Sequence, residues 1–297
     1  MEELFDFLIK KDVEYKRNQL MSQYTSVRIG GCASVVVFPR TEQQLIDVAR
    51  FLCDSDIKHK VIGRMTNILP CDGEYCGVLI STKKLNSYIL DSTLIKAECG
   101  TLLSPLLLSL ARLGLGGAEG LCGIPGTVGG VVVSNAGAYG CEIGELVKSV
   151  RAYFLRTDSI ETLTREQCGF SYRNSVFSNG DSVILSVELE LIKRAPDIII
   201  NEMGMIKRRR NDSQPIEYPS LGSVFKKVNG ISAGQIIDRC GLKGLRVGGA
   251  MVSPKHAGFI VNTGGATAAD FRGLVELVKS EVYRMRHIKL IEEIEYI

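Results

Sequence analysis

The sequence predicts an α+β protein built from two or three compact units. Three observations carry that expectation. At 297 residues the chain is longer than one core comfortably fills. Its opening patterns run in β-α-β order. A clean strand alternation at residues 182–191 is followed by the break Lys193-Arg-Ala-Pro196, after which helical and strand patterns start afresh.

The elements follow in order. Residues 1–20 mix charged and apolar side chains at helical spacing and predict a helix. In residues 27–39, Ile29-Gly-Gly31 separates two β-like stretches, and Val35-Val-Val-Phe38 is expected as a buried strand. Thr41-Glu-Gln-Gln44 forms a capping box opening a helix with Leu45, Val48, Ala49 and Leu52 on its apolar stripe. A short strand at 59–62 stops at Gly63, and further strands are expected at 77–82 and 93–98. Ser104-Pro105 predicts an N-cap followed by proline at the first helical position, with that helix ending near Gly114. From 114 to 140 there are ten glycines in 27 residues, a density read as excluding any regular element and serving close approach of backbone to a ligand. In 182–191, Val183, Leu185, Val187, Leu189 and Leu191 alternate with polar positions, as in a half-buried strand. The last third predicts a helix at 232–240 capped by Gly241, and a second capping box, Thr267-Ala-Ala-Asp270. That box opens a helix with Phe271, Leu274, Val275, Val278, Val282 and Met285 on one stripe. Strands at 258–261 and 289–297 complete it, and the composition suggests divisions at 1–80, 81–195 and 196–297.

Composition narrows the function. Hydrophobic residues make up 45% and charged residues 23%, enough for a real core, and the net charge of +3 excludes a basic nucleic-acid coat. The nine cysteines are odd in number and lack C-x-x-C spacing, and the three histidines are isolated, so neither a disulfide framework nor a metal site is expected. No signal-peptide pattern or membrane span is read, so the chain is expected to be cytoplasmic, off the membrane and monomeric.

The chemistry concentrates in Gly123-Ile-Pro-Gly-Thr-Val-Gly-Gly130, followed by Asn135-Ala-Gly-Ala-Tyr-Gly140. Pro125 stiffens the turn while its neighbours expose amides suited to a diphosphate or a flavin ring edge; a purely structural glycine loop is the alternative. The segment is neither a Walker A loop nor a Gly-x-Gly-x-x-Gly between strand and helix.

These motifs resemble those of the UDP-N-acetylenolpyruvoylglucosamine reductase (MurB) family, in its shorter form. The resemblance continues through Tyr24-Thr-Ser-Val-Arg-Ile-Gly-Gly31, Phe170-Ser-Tyr-Arg-Asn-Ser175, Gln214-Pro215, Gly222-Ser-Val-Phe225 and Gly241-Leu-Lys-Gly244, in order along nearly the whole chain. It implies a two-subdomain FAD-binding module of the vanillyl-alcohol-oxidase type plus an α+β substrate domain. It also implies NADPH as hydride donor and a nucleotide-sugar enolpyruvate as substrate. By the same resemblance Arg173 meets the developing negative charge, Ser223 is the general acid and Glu293 helps stabilise the intermediate, with the adjacent Glu292 as the alternative. Tyr172 and Gly222 would line the substrate, and FAD would lie on Ile124, Pro125, Gly126, Thr127, Gly130 and Asn135. One cofactor loop departs from the family's glycine-rich form: Gly63-Arg-Met-Thr-Asn67 keeps Gly63, Thr66 and Asn67 but carries Arg64 and Met65 in place of glycines. Those side chains would strain any left-handed backbone there, or Arg64 would compensate by its charge. Two other classes fit parts of the pattern: a different flavin oxidase, or a non-catalytic flavin- or nucleotide-binding protein.

Overall fold

A computed structural model describes residues 1–297. The chain divides into two compact units, each assembled from separated segments: Met1–Arg17, Val35–Arg64 and Gly77–Arg208 in the first, Asn18–Ser34, Met65–Cys76 and Arg209–Ile297 in the second.

The first unit holds most of a four-stranded sheet ordered Glu14–Leu20, Cys32–Phe38, Tyr75–Ser81, His59–Ile62. The last two strands pair in parallel, His59 opposite Val78, because the intervening chain must return to the same end of the sheet. Helix Glu42–Asp54 buries Leu45, Ile46, Val48, Ala49 and Leu52. A five-stranded antiparallel sheet follows, ordered Ser159–Thr164, Val147–Phe154, Ser182–Glu190, Leu94–Glu98, Tyr88–Asp91. One contiguous apolar core runs through this unit.

Several expectations are corrected here. The opening helix covers only Glu2–Lys10; Asp12 turns the chain at φ 50°, and Glu14–Leu20 becomes the first sheet's outer strand. Leu4 and Leu8 already fill the helix's buried stripe, and the charges beyond suit an edge strand. Thr41 caps its helix by accepting from the Gln44 amide at 3.2 Å, but Gln44 Oε1 accepts from Arg40 N rather than closing the box on Thr41. Strand Ser182–Glu190 is buried on both faces from Val183 to Val187, with helices Glu42–Asp54 and Val128–Val133 packed against it; Ile184 and Ser186 are enclosed too. Helix Leu103–Arg112 begins one residue before Ser104, which therefore caps nothing. Glycine density does not exclude helix: Val128–Val133 is a short one, capped by Thr127. Residues read as a boundary near 196 begin the helix Pro196–Ser213.

The second unit is built on the sheet Ser220–Ser223, Phe259–Asn262, Ala250–Val252, Arg246–Val247, with helices Ala233–Arg239 and Ala268–Arg286 over it. Thr267 and Asp270 form the reciprocal capping box that the spacing predicts. Phe271, Leu274, Val275, Val278 and Val282 are buried, whereas Met285 is 41% exposed: the stripe ends one turn earlier than expected. The core of this unit also takes Val27, Ile29 and Leu69 from the early segments. Residues 289–297 are a strand only at Glu295–Tyr296, which pairs in parallel with Ile68–Leu69. All nine cysteines are free, and no helix is long and apolar enough to cross a membrane.

Candidate flavin and substrate sites

In the first unit the glycine segment is tied down by groups far from it in sequence. Ser104 Oγ donates to Ile124 O at 3.1 Å and accepts from Gly123 N at 3.2 Å. Leu103 N donates to Gly126 O and Val128 N to Thr101 O, so Leu102 and Thr127 face each other as a non-hydrogen-bonded pair, with Thr127's own N–H directed outward. Gly123, Pro125 and Gly130 are exposed beside it. Thr127 Oγ1 accepts from Gly130 N at 3.3 Å, and a Cβ on Gly63 would lie 2.4 Å from that same oxygen. Gly63 is thus fixed by close approach to the glycine segment. Arg64, its neighbour, is exposed.

Arg173 stands at the tip of a tight turn in which Ser171 and Asn174 exchange two backbone hydrogen bonds at 3.1 Å. Its φ of 54° is unusual for a side-chain-bearing residue, a strain found where structure over-determines a functional position. Its guanidinium donates to Gly137 O at 3.0 Å and Asn135 O at 3.4 Å, and lies over the Tyr172 ring at 5.1 Å. Asn135, only 2% exposed, sets the turn: Nδ2 donates to Ser171 O and Glu142 Oε2, and Oδ1 accepts from Gly144 N. Arg173, Tyr172 and Asn135 are therefore brought together, joined to the glycine segment through Asn135. A cleft of about 390 Å³ beside Asn135 presents Glu142, Glu145 and Glu166 against one guanidinium, Arg165, a poor match for a diphosphate.

In the second unit, Met65 is buried at 2% exposure with φ 47°; its carbonyl accepts from Thr25 Oγ1 at 3.2 Å. Arg64 is not among the residues of positive φ, so the backbone constraint in this loop falls on Met65 alone. Ser223 ends a strand with a bulge: Ser220 pairs with Val261 but Ser223 with Phe259, leaving one extra residue, and Gly222 takes φ 77°. Ser223 Oγ lies 3.3 Å from Phe225 O. The chain after Ser223 meets the C-terminal segment: Glu293 N donates to Val224 O at 2.8 Å and Lys226 N to Ile291 O at 2.8 Å, with Phe225 opposite Glu292. Residues 70 apart in sequence, Ser223 and Glu293, are thereby neighbours.

The two adjacent glutamates differ. Leu290 and Ile294 are buried, and Glu292, on their side of the alternation, accepts from Lys279 Nζ at 2.9 Å and from the Tyr296 hydroxyl. Burial first, then the bond to Glu292, raises the Tyr296 phenol above its ordinary range, which keeps it protonated and donating. Glu293 lies on the opposite side, half-buried. The role of Ser104 as a clasp on residues 123 and 124, and that of Lys279 on Glu292 13 residues on, have no local signal in the sequence.

The donor set suits an anionic dinucleotide: an outward Thr127 amide beside exposed glycines in one unit, the Arg64 guanidinium next to Gly63, and no carboxylate within residues 63–67 or 123–130. Residues 33–163 match the profile of an FAD binding domain. The plant protein Physcomitrella patens BBE-like 1 shares the fold over 64% of this chain, with a TM-score of 0.50 at 13% identity. The class is thus an FAD-binding protein whose cofactor module shares that fold, with an added α+β region. Residues 214–297 match the C-terminal domain of UDP-N-acetylenolpyruvoylglucosamine reductase. The reductase of that name from Caldicellulosiruptor bescii is 39% identical over 98% of this chain and 93% of its own length, and that from Clostridioides difficile is 41% identical over 98% and 95%. The crystal structure of the Thermus caldophilus enzyme superposes with a TM-score of 0.82 at 34% identity, covering 96% of this chain and 98% of that one. The chain belongs to the UDP-N-acetylenolpyruvoylglucosamine reductase (MurB) family.

Proposed function

We propose that the chain reduces UDP-N-acetylglucosamine enolpyruvate to UDP-N-acetylmuramate in peptidoglycan precursor synthesis, with NADPH as hydride donor, and that Arg173, Ser223 and Glu293 carry the chemistry. FAD, when bound, supplies the two-electron carrier between the two substrates. Residues 63–67 and Ile124, Pro125, Gly126, Thr127, Gly130 and Asn135 would hold it, backbone amides and Arg64 meeting the diphosphate. In this reading residues 1–80 and 81–195 are the cofactor subdomains and 196–297 the substrate domain; the two profile matches lie on either side of residue 195 and support that one division.

Each assignment has a physical basis. Hydride arriving at C3 of the enolpyruvyl group leaves negative charge on C2 and its carboxylate. The Arg173 guanidinium, always charged and already anchored at one edge by Gly137 O, answers that charge without reorganisation. Tyr172, next to Arg173, and Gly222, next to Ser223, would each contact substrate. Ser223 delivers the proton to C2, where a strongly basic carbanion can draw it from a hydroxyl. Glu293 acts with it, because its amide is bonded to Val224, the residue after Ser223, whereas Glu292 lies on the side of buried Leu290 and Ile294.

The observation that carries the reading is the Glu293 N to Val224 O hydrogen bond of 2.8 Å, which ties the backbone of the proposed carboxylate to the residue that follows the proposed acid. The test separates the half-reactions. Ser223→Ala should let NADPH bleach the flavin anaerobically at the normal rate, yet slow reoxidation by the enolpyruvyl substrate by about 10²–10⁴-fold. Normal reoxidation by that variant would remove Ser223 from the mechanism. The chain is taken to act as a cytoplasmic monomer; sedimentation of the loaded protein as a dimer would overturn the second point.

A further inference from the structure

The segment carrying Glu293 is gripped along both edges. On one, the Glu293 amide donates to Val224 O at 2.8 Å. On the other, Asn67 Nδ2 donates to Glu293 O at 2.9 Å, and Glu295 N donates to Asn67 O at 2.9 Å. The parallel pairing of Glu295 with Ile68 continues from there. The Glu293 peptide therefore has both polar groups fixed, and its carbonyl is held by a side chain at the point where the ladder offers no backbone donor. That side chain belongs to a loop expected to serve the cofactor.

We propose that Asn67 is a positioning residue for Glu293: its carboxamide fixes the peptide whose side chain supports the second half-reaction. The inference rests on Glu293 being the reacting carboxylate. A peptide held at N–H and C=O leaves its side chain only rotamer freedom, and small displacements of a catalytic group cost rate steeply. A residue that served the diphosphate alone would, on its loss, weaken cofactor binding and leave the glutamate in place.

The test uses the full FAD-loaded chain and four variants: Asn67→Ala, Asn67→Ser, Glu293→Gln and the Asn67→Ala/Glu293→Gln double variant. For each, FAD Kd, anaerobic bleaching by NADPH, reoxidation by the enolpyruvyl substrate and thermal midpoint are measured. With FAD saturating, Asn67→Ala should slow reoxidation about tenfold, the scale of one lost hydrogen bond, and should slow reoxidation more than it slows bleaching. In the Glu293→Gln background the same change should cost less than about twofold, because both act through one group. Asn67→Ser, which keeps a short donor, serves if the alanine variant fails to fold and should lie between the parent and Asn67→Ala. Weakened FAD binding with unchanged reoxidation would make Asn67 a cofactor ligand and overturn the proposal. So would effects that multiply in the double variant. A Glu293→Gln variant with normal reoxidation would remove the underlying reading, and would do so on its own evidence.

Discussion

Residues 123–130 and residues 63–67 meet one expectation, a loop that lets backbone approach a dinucleotide, with different chemistry. In the first, glycine lets protein close on protein: a Cβ on Gly129 would lie 2.9 Å from Cys99 Cβ and 3.0 Å from its carbonyl oxygen, which already accepts from Gly129 N at 2.8 Å. In the second, only Gly63 is held that tightly, and against a side chain, Thr127. The next two positions carry side chains that leave in opposite directions. Arg64 goes to solvent with ordinary backbone, and Met65 goes into the core at φ 47°. A left-handed residue costs roughly 1–2 kcal/mol, while burying a methionine contributes about 1.5–3 kcal/mol. Burial offsets strain, which is how this loop does without its glycines.

The sharpest way to break the contrast is Gly129→Ala. Its clash is with backbone, which cannot swing aside, so a destabilisation of about 2–3 kcal/mol should appear as a lower urea midpoint. A loss below about 1 kcal/mol would show that the first loop yields as easily as the second. Gly63→Ala should cost somewhat less, about 1–2 kcal/mol, because it meets a side-chain hydroxyl. Thr127→Ala alone should cost about 1 kcal/mol through the lost cap, and in that background Gly63→Ala should be nearly neutral; additive costs would refute the assigned contact. The smallest effect belongs to Arg64→Ala. Stability should change by less than about 0.5 kcal/mol, whereas FAD Kd should rise several-fold at low salt and less at high salt, as expected of a guanidinium that meets the diphosphate. A Kd unaffected at either salt concentration would remove Arg64 from cofactor binding.

Most of the candidate site can be picked out as residue types in motif order, because Arg173, Ser223, Gly63 and the glycine segment are each marked by neighbours within a few positions. The Thr267–Asp270 box was legible for the same reason: a cap is local chemistry. What stayed hidden depends on partners distant in sequence. Ser104 looked like an N-cap, yet its hydroxyl is engaged with residues 123 and 124. Residues 14–20 kept a helix-like pattern but were claimed by the sheet beside Cys32–Phe38, since pairing overrides weak propensity. Glu292 and Glu293 look alike in the sequence because what separates them is packing: Glu292 shares the side of buried Leu290 and Ile294 and meets Lys279 and Tyr296.

The assembly of the second unit has a consequence for how the polypeptide comes to be folded. Residues 214–297, recognisable by themselves as a domain, lack part of their own interior: Val27, Ile29 and Leu69 complete the core, and Asn67 and Glu293 are bonded across 226 residues. A chain made from its amino end must hold these early apolar segments in waiting while everything between is synthesised. Closing so long a loop is entropically slow, and contacts of such separation form late. Excised alone, the C-terminal segment would expose an unfinished interior and tend to associate; supplied with residues 18–34 and 65–76 as separate peptides, it would have the pieces needed to close.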